Sequence, residues 1–144
     1  MHIEPYLQFD GRAEEAAEFY QQALGATVEM MLRFSQTPDQ PPPGMLPPNS
    51  ENKVMHMALR IGNTTLLGSD GACRGKPSFG GVDLALQVAS PEEARRMFDG
   101  LAQGGTVRMA LGRTFFSDAY GIVTDRFGVG WMIVAPGAMV PPHA

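Results

Sequence analysis

Three kinds of side chain in this sequence have chemistry to offer. His56 stands in KVMHMALRI, Lys53 to Ile61, a run that reads as a strand. An imidazole there serves as a nitrogen ligand to a metal ion or as a general base; the simpler reading is a histidine that lines the sheet and is satisfied by a hydrogen bond. From His2 to Phe9 the chain alternates His2, Glu4, Tyr6 and Gln8 with Ile3, Pro5, Leu7 and Phe9, so one strand face carries a carboxylate and a phenol. His2 adjoins Met1 and reads as a terminal residue. Arg60, Arg108 and Arg113 offer guanidinium groups to an anionic or oxyanionic ligand, although strand arginines are commonly just solvated. Tyr6, Phe115, Phe116, Tyr120 and Trp131, with Met30, Met31, Met55 and Met57, offer an apolar wall that repacks around different shapes; the alternative is an ordinary core. Asp70, before Gly71, offers a pocket carboxylate, with a turn former as the simpler reading, and Asp125 reads as the cap of the turn that ends at Gly128.

Composition narrows the classes. At 144 residues the chain is long enough for one domain with a real core and short for two independent ones. A net charge of -4 gives no electrostatic reason to expect nucleic acid, although local arginines leave small acidic ligands open. The single cysteine, Cys73, has no partner for an internal disulfide, and no Cys or His spacing suggests a structural zinc site. The first residues, MHIEPYLQFDGR, lack a basic stretch followed by an apolar one, and no apolar run approaches the ~20 residues needed to span a bilayer. A cytoplasmic protein without membrane or nucleic-acid partner is expected. Phosphate-binding, dinucleotide-binding and nucleophile-elbow glycine motifs are all missing.

The elements that would position these residues repeat. After the strand His2 to Phe9, apolar residues at Ala13, Ala16, Ala17, Tyr20, Ala23 and Leu24 predict a helix, with Asp10 as N-cap and Gly25 as its stop. Thr27 to Ser35 reads as a strand. Gln36 to Asn52 holds six of the twelve prolines and excludes helix or inner strand. Lys53 to Ile61 and Thr64 to Ser69 form a hairpin, and Gly71 to Gly81 is a connector. The pattern then restarts: strand Val82 to Val88, a capping box at Ser90-Pro91-Glu92-Glu93, and a helix with Ala94, Met97, Phe98 and Leu101 inward. Asp118 to Asp125 and Trp131 to Val134 close with a second hairpin, turned at Asp125 to Gly128. Leu7-Gln8 matches Leu86-Gln87, and Thr27-Val28-Glu29-Met30 matches Thr106-Val107-Arg108-Met109, with an offset of 79 for the first strands and 66 for the last hairpins. The expected fold class is α+β with two tandem βαβββ modules: one domain with module one at 1–70 and its insert at 36–52, a connector at 71–81, module two at 82–136 and a tail at 137–144.

The stretch RTFFSDAYGIVTDRFGVGWMIV, Arg113 to Val134, resembles the F-W-G-x-x-[FY]-G-x-x-x-D-x-[FD]-G-x-x-W run of the PhnB-like branch of the vicinal oxygen chelate superfamily. That superfamily holds glyoxalase I, bleomycin and fosfomycin resistance proteins and extradiol dioxygenases. Phe116 stands where those relatives carry Trp, Ser117 where they carry Gly, and Arg126 where many carry Pro. The resemblance spans residues 2 to 136 and implies sheets curling around a cleft with helices outside. It also implies a choice of function. In one reading a divalent ion (Zn, Ni, Mn, Fe or Co) is held by Glu4, His56 and Asp83, with His56 and Glu4 catalytic, and activates a substrate with vicinal oxygens. Against this, the matching positions on the closing strands fall near Leu67 or Ser69 and on Met132, which is no ligand for a hard ion. In the other reading no metal is bound, and a small molecule is sequestered among Tyr6, Arg60, Arg113, Phe116, Tyr120 and Trp131. Small proteins of this type pair, so a homodimer is expected, with the proline-rich insert as a lid, an arm to the partner or a segment without a role. Some PhnB-like sequences bear a ubiquinone methyltransferase label, yet no glycine-rich nucleotide loop follows the first strand here.

Overall fold

The computed structural model describes residues 1–137, so the expected tail falls, after Gly137, outside the described residues. The chain forms two compact units, Met1–Pro77 and the residues from Ser78 onward. Among the described residues no helix is long and apolar enough to cross a membrane.

The first unit runs β1 (Tyr6–Gln8), α1 (Ala13–Leu24), β2 (Thr27–Arg33), a single 3-10 turn at Phe34–Gln36, β3 (Val54–Ile61) and β4 (Thr64–Ser69). Its sheet has the order β1-β4-β3-β2, with β1 parallel to β4 and the other pairs antiparallel. The second unit runs β5 (Asp83–Gln87), α2 (Pro91–Ala102), β6 (Thr106–Gly112), β7 (Tyr120–Thr124) and β8 (Gly130–Val134), with the same topology, β5-β8-β7-β6. Both halves are therefore βαβββ units of an α+β fold, as the repeat predicts.

Alternation decides which face of each sheet meets its helix. In the first unit Leu7, Phe9, Met57, Leu59 and Leu66 are buried with Ala13, Ala16, Ala17, Tyr20 and Leu24 of α1. Phe9, Tyr20, Met57 and Leu59 are 0% exposed, and each such burial contributes roughly 1.5–3 kcal/mol. In the second unit Ala94, Phe98 and Leu101 of α2 share the core with Val123, Trp131 and Ile133. Gly121 lies where a Cβ would come 2.8 Å from Phe98, so α2 packs close against β7 there.

Several boundaries move for local reasons. The first strand is shorter than His2 to Phe9: Pro5 has no N–H to donate, although its carbonyl accepts from Leu67, and Ile3 is 94% exposed. The second strand ends at Arg33 because Phe34–Gln36 turns back. Asp10 is not the N-cap of α1. It takes a positive φ of 50°, and Arg12 occupies the N-cap without a side-chain bond. The orphan amide is served from a distance by Asp70, which is 1% exposed: Oδ1 accepts from Gly11 N (2.9 Å) and Ala13 N (2.7 Å), and Oδ2 from Val54 N (2.6 Å). Asp70 is thus no simple turn former; it ties the start of α1, the start of β3 and the end of β4 together. Ser90 does cap α2, accepting from Glu93 N at 3.2 Å while Glu93 Oε2 accepts from Ala89 N.

Register sharpens the repeat. Leu7 pairs with Gly68 and Gly68 with Met57; Leu86 pairs with Ile133 and Ile133 with Gly121. The last hairpins are therefore offset by 64 (β3 to β7) and 65 (β4 to β8), not 66. Both edge strands bulge at one equivalent place, between Val28 and Met30 and between Val107 and Met109, which singles out Glu29 and Arg108.

Candidate functional site

The helix-free face of the first unit's sheet carries a row set by register: Tyr6 opposite Leu67, Leu67 opposite Ala58, and Ala58 opposite Met30. Tyr6 and Met30 are each 45% exposed. His56 lies two residues before Ala58 on the same face of β3. Tyr6, on the edge strand β1, reaches across β4 so that its Oη lies 3.0 Å from His56 Nδ1. The two rings stack at 5.5 Å with 30° between planes. Nε2 of His56 has no hydrogen-bond partner among the described residues. The result is one oriented polar pair set in an apolar, half-exposed row.

The same face of the second unit holds the equivalent row Ala85, Met132, Ile122 and Met109, all apolar. Tyr120 stands where the first unit has His56, with Phe116 edge-on at 5.0 Å and Phe115 against Phe116 at 5.1 Å. It also carries an ion pair of Arg108 Nη2 with Asp83 Oδ1. The duplicated sheets have diverged: one pairs its phenol with an imidazole, the other sets Tyr120 among phenylalanine and methionine side chains.

Each expected metal ligand is engaged by another side chain. Glu4 precedes β1 and pairs with His2 (3.2 Å), His56 pairs with Tyr6, and Asp83 belongs to the other unit and is held by Arg108. Among the described residues no three His, Cys, Asp or Glu side chains are grouped to hold a metal ion. Register assigns the closing-strand positions to Leu67 and Met132, opposite Tyr6 and Ala85. A thioether and an isobutyl group are no donors for a hard divalent ion, so the residues present do not fit one.

Of the expected pocket residues, Tyr6 lies beside His56 and Phe116 beside Tyr120. Arg60 is paired with Glu29 (3.2 Å) and Arg113 with Asp118 (3.3 Å), both at the surface. Trp131 is 3% exposed and donates its indole N–H to Asp125 Oδ2 (2.9 Å), while Asp125 Oδ1 accepts from Phe127 and Val129. Its ring therefore serves the core and the β7–β8 turn. Three features are not legible in the residues alone: the Tyr6–His56 tie, the reach of Asp70, and the Arg108–Asp83 pair. For the last a signal existed, since the repeat aligns acidic Glu29 with basic Arg108.

Electrostatic shifts are few. The hydrogen bond from Arg33 holds the Glu14 carboxyl below its ordinary range and raises the Arg33 guanidinium in turn. Burial pushes the Cys73 thiol up, helped by the nearby Asp70 charge.

A family model described as 3-demethylubiquinone-9 3-methyltransferase matches residues 1–134. Protein YjdN of Escherichia coli is 36% identical over 140 residues, covering 92% of this chain and 94% of that protein. Among solved structures, protein PA1353 of Pseudomonas aeruginosa superposes with a TM-score of 0.81 at 39% identity, over 94% of this chain and 98% of its own. The PhnB protein of Bacillus cereus does so with 0.76 at 26% identity, over 94% and 99%. The fold alone is shared with the fosfomycin resistance protein FosX of Listeria monocytogenes, with a TM-score of 0.62 at 12% identity over 95% of this chain and 92% of that one.

Proposed function

This chain belongs to the 3-demethylubiquinone-9 3-methyltransferase family, within the PhnB-like branch of the vicinal oxygen chelate superfamily, and from that premise we propose that it binds a planar small molecule without a metal ion. The observation that carries this reading is the Tyr6–His56 pair, whose rings stack on each other beside the apolar row of Leu67, Ala58 and Met30, on the face of the sheet opposite α1. Flat apolar surface with one polar anchor suits a flat ligand that has one polar group. The carboxylates that a metal would need are occupied elsewhere.

Methyl transfer, which the family description names, requires a bound methyl donor. The turn between β1 and α1, Phe9-Asp10-Gly11-Arg12, contains one glycine, and the Gly11 and Ala13 amides are already given to Asp70. A nucleoside or phosphate cradle is not built there, so no methyl-transfer step is assigned.

The exposed apolar residues Val107 and Met109 on the edge strand β6 support pairing with a second copy, and a cytoplasmic home suits a chain with one cysteine. Light scattering behind gel filtration that reports a monomer refutes the first.

The main experiment is elemental analysis of protein purified without chelator or affinity-tag metal, followed by a melting screen with Zn, Ni, Mn, Fe and Co. The expected result is little metal and no large stabilisation. Near-stoichiometric metal whose stabilisation disappears in His56→Ala refutes the metal-free reading. Methionine-methyl spectra recorded with planar fragments test the face directly: Met30 should shift, and Met45, in the insert, should not.

A further inference from the structure

Which atom of His56 carries the ring proton decides what the face recognises. Tyr6 Oη lies 3.0 Å from His56 Nδ1, and neither side chain has another partner among the described residues. A phenol is a good donor and a poor acceptor, whereas the unprotonated imidazole nitrogen is a strong acceptor. The contact is therefore best made by Tyr6 O–H donating to Nδ1. In a neutral ring this leaves the proton on Nε2, the nitrogen on the far side of the ring from Tyr6.

We propose that Tyr6 is a positioning residue that fixes His56 as an Nε2–H donor, and that this N–H selects planar ligands bearing a carbonyl or carboxylate oxygen. The proposal rests on the reading of this face as a ligand site and goes beyond it by naming the ligand's polar group. It also reverses the two roles that the sequence suggests for His56. A general base or a metal ligand needs a lone pair on Nε2, and that requires Nδ1–H to donate to the weakly accepting phenol oxygen instead. Selection should be sharp for its size. A ligand that places hydrocarbon against Nε2–H strips that donor of water without replacing the bond, whereas an acceptor oxygen keeps it satisfied. The apolar row contributes area to both kinds of ligand equally, so discrimination rests on the one N–H.

The test uses the full chain, with ring-nitrogen-labelled histidine and methyl-labelled methionine, at a pH where the ring is neutral. Long-range nitrogen–proton spectra should show His56 as the Nε2–H tautomer, and Tyr6→Phe should convert it to a mixture. Three probes of similar shape are then added: acetophenone, benzoate and α-methylstyrene. Acetophenone and benzoate should move both the Met30 methyl and the His56 Nε2 resonance. The hydrocarbon should move Met30 only and bind more weakly, on the order of tenfold, a preference that His56→Leu removes and His56→Gln partly keeps. An Nδ1–H tautomer overturns the proposal, as does equal affinity for acetophenone and α-methylstyrene. Met30 shifts with an unmoved His56 ring overturn it while leaving the ligand face standing. No Met30 shift with any probe overturns the ligand face and the proposal together.

Discussion

Arg108 and Asp83 belong to the two edge strands of one sheet, β6 and β5, yet their side chains meet across its helix-free face, directly over Gly130. A Cβ on Gly130 would come 1.9 Å from Asp83 Oδ1 and 2.7 Å from Arg108 Nη2. The missing side chain is what lets the pair form. In the first unit the equivalent positions are Glu29 and Glu4, of like charge and unable to form such a pair; Glu29 turns to Arg60 and Glu4 to His2.

Gly130→Ala should therefore push the pair apart, and because the atoms it meets are the ends of flexible, partly exposed side chains, the cost should not exceed that of the pair itself. Asp83→Asn should likewise cost less than about 1 kcal/mol, because such pairs are worth little. Urea unfolding of the two variants checks both. A loss of several kcal/mol in Gly130→Ala alone would mean that the two side chains cannot move aside.

Asp70 accepts three backbone N–H groups from two other elements, with no water needed. Replacing it with Ala strands those donors, and the expected loss is about 3 kcal/mol or more. Asp70→Asn keeps one acceptor oxygen and should fall between Ala and wild type. Hydrogen exchange at Gly11, Ala13 and Val54 should accelerate in both variants.

Cys73 is half-buried, and its thiol is raised by burial and by the Asp70 charge. Less thiolate at neutral pH means slow alkylation. Iodoacetamide should label native protein well below the rate of a cysteine peptide at pH 7.5, and urea should restore that rate. A native rate matching the peptide would contradict the placement.

Glu14 on α1 meets Arg33 on β2, and its carboxyl is held below the ordinary value. A depressed folded-state value means that the tie contributes above the unfolded pKa and is lost as pH falls through the lower, folded one. Its carboxylate side chain is 51% exposed, so the effect is small. Between pH 6 and pH 3 the stability of Glu14→Gln should fall less than that of wild type; parallel curves would show that the pair contributes nothing.

The residues alone located both helices, the Thr64–Ser69 strand, the capping box at Ser90 and the repeat, because each is a matter of period and neighbours a few positions apart. The excess of proline marked Gln36 to Asn52 for the same reason: a missing N–H acts where it stands. What the tertiary structure decided lies across strands. Tyr6 and His56 are 50 positions apart, Asp70 reaches 59 and 57 positions back to α1, and Arg108 finds Asp83 across 25. Each meeting depends on β1 and β5 lying beside the last strand of their own unit, and on bulges that shift register on the edges. Alternation says which face a side chain takes, but only strand order and register say which neighbour it finds there. Hence His56 was visible as a candidate from its strand, while its tie to Tyr6, and the separation of Glu4 and Asp83 into different ion pairs, emerged only once the sheets were formed.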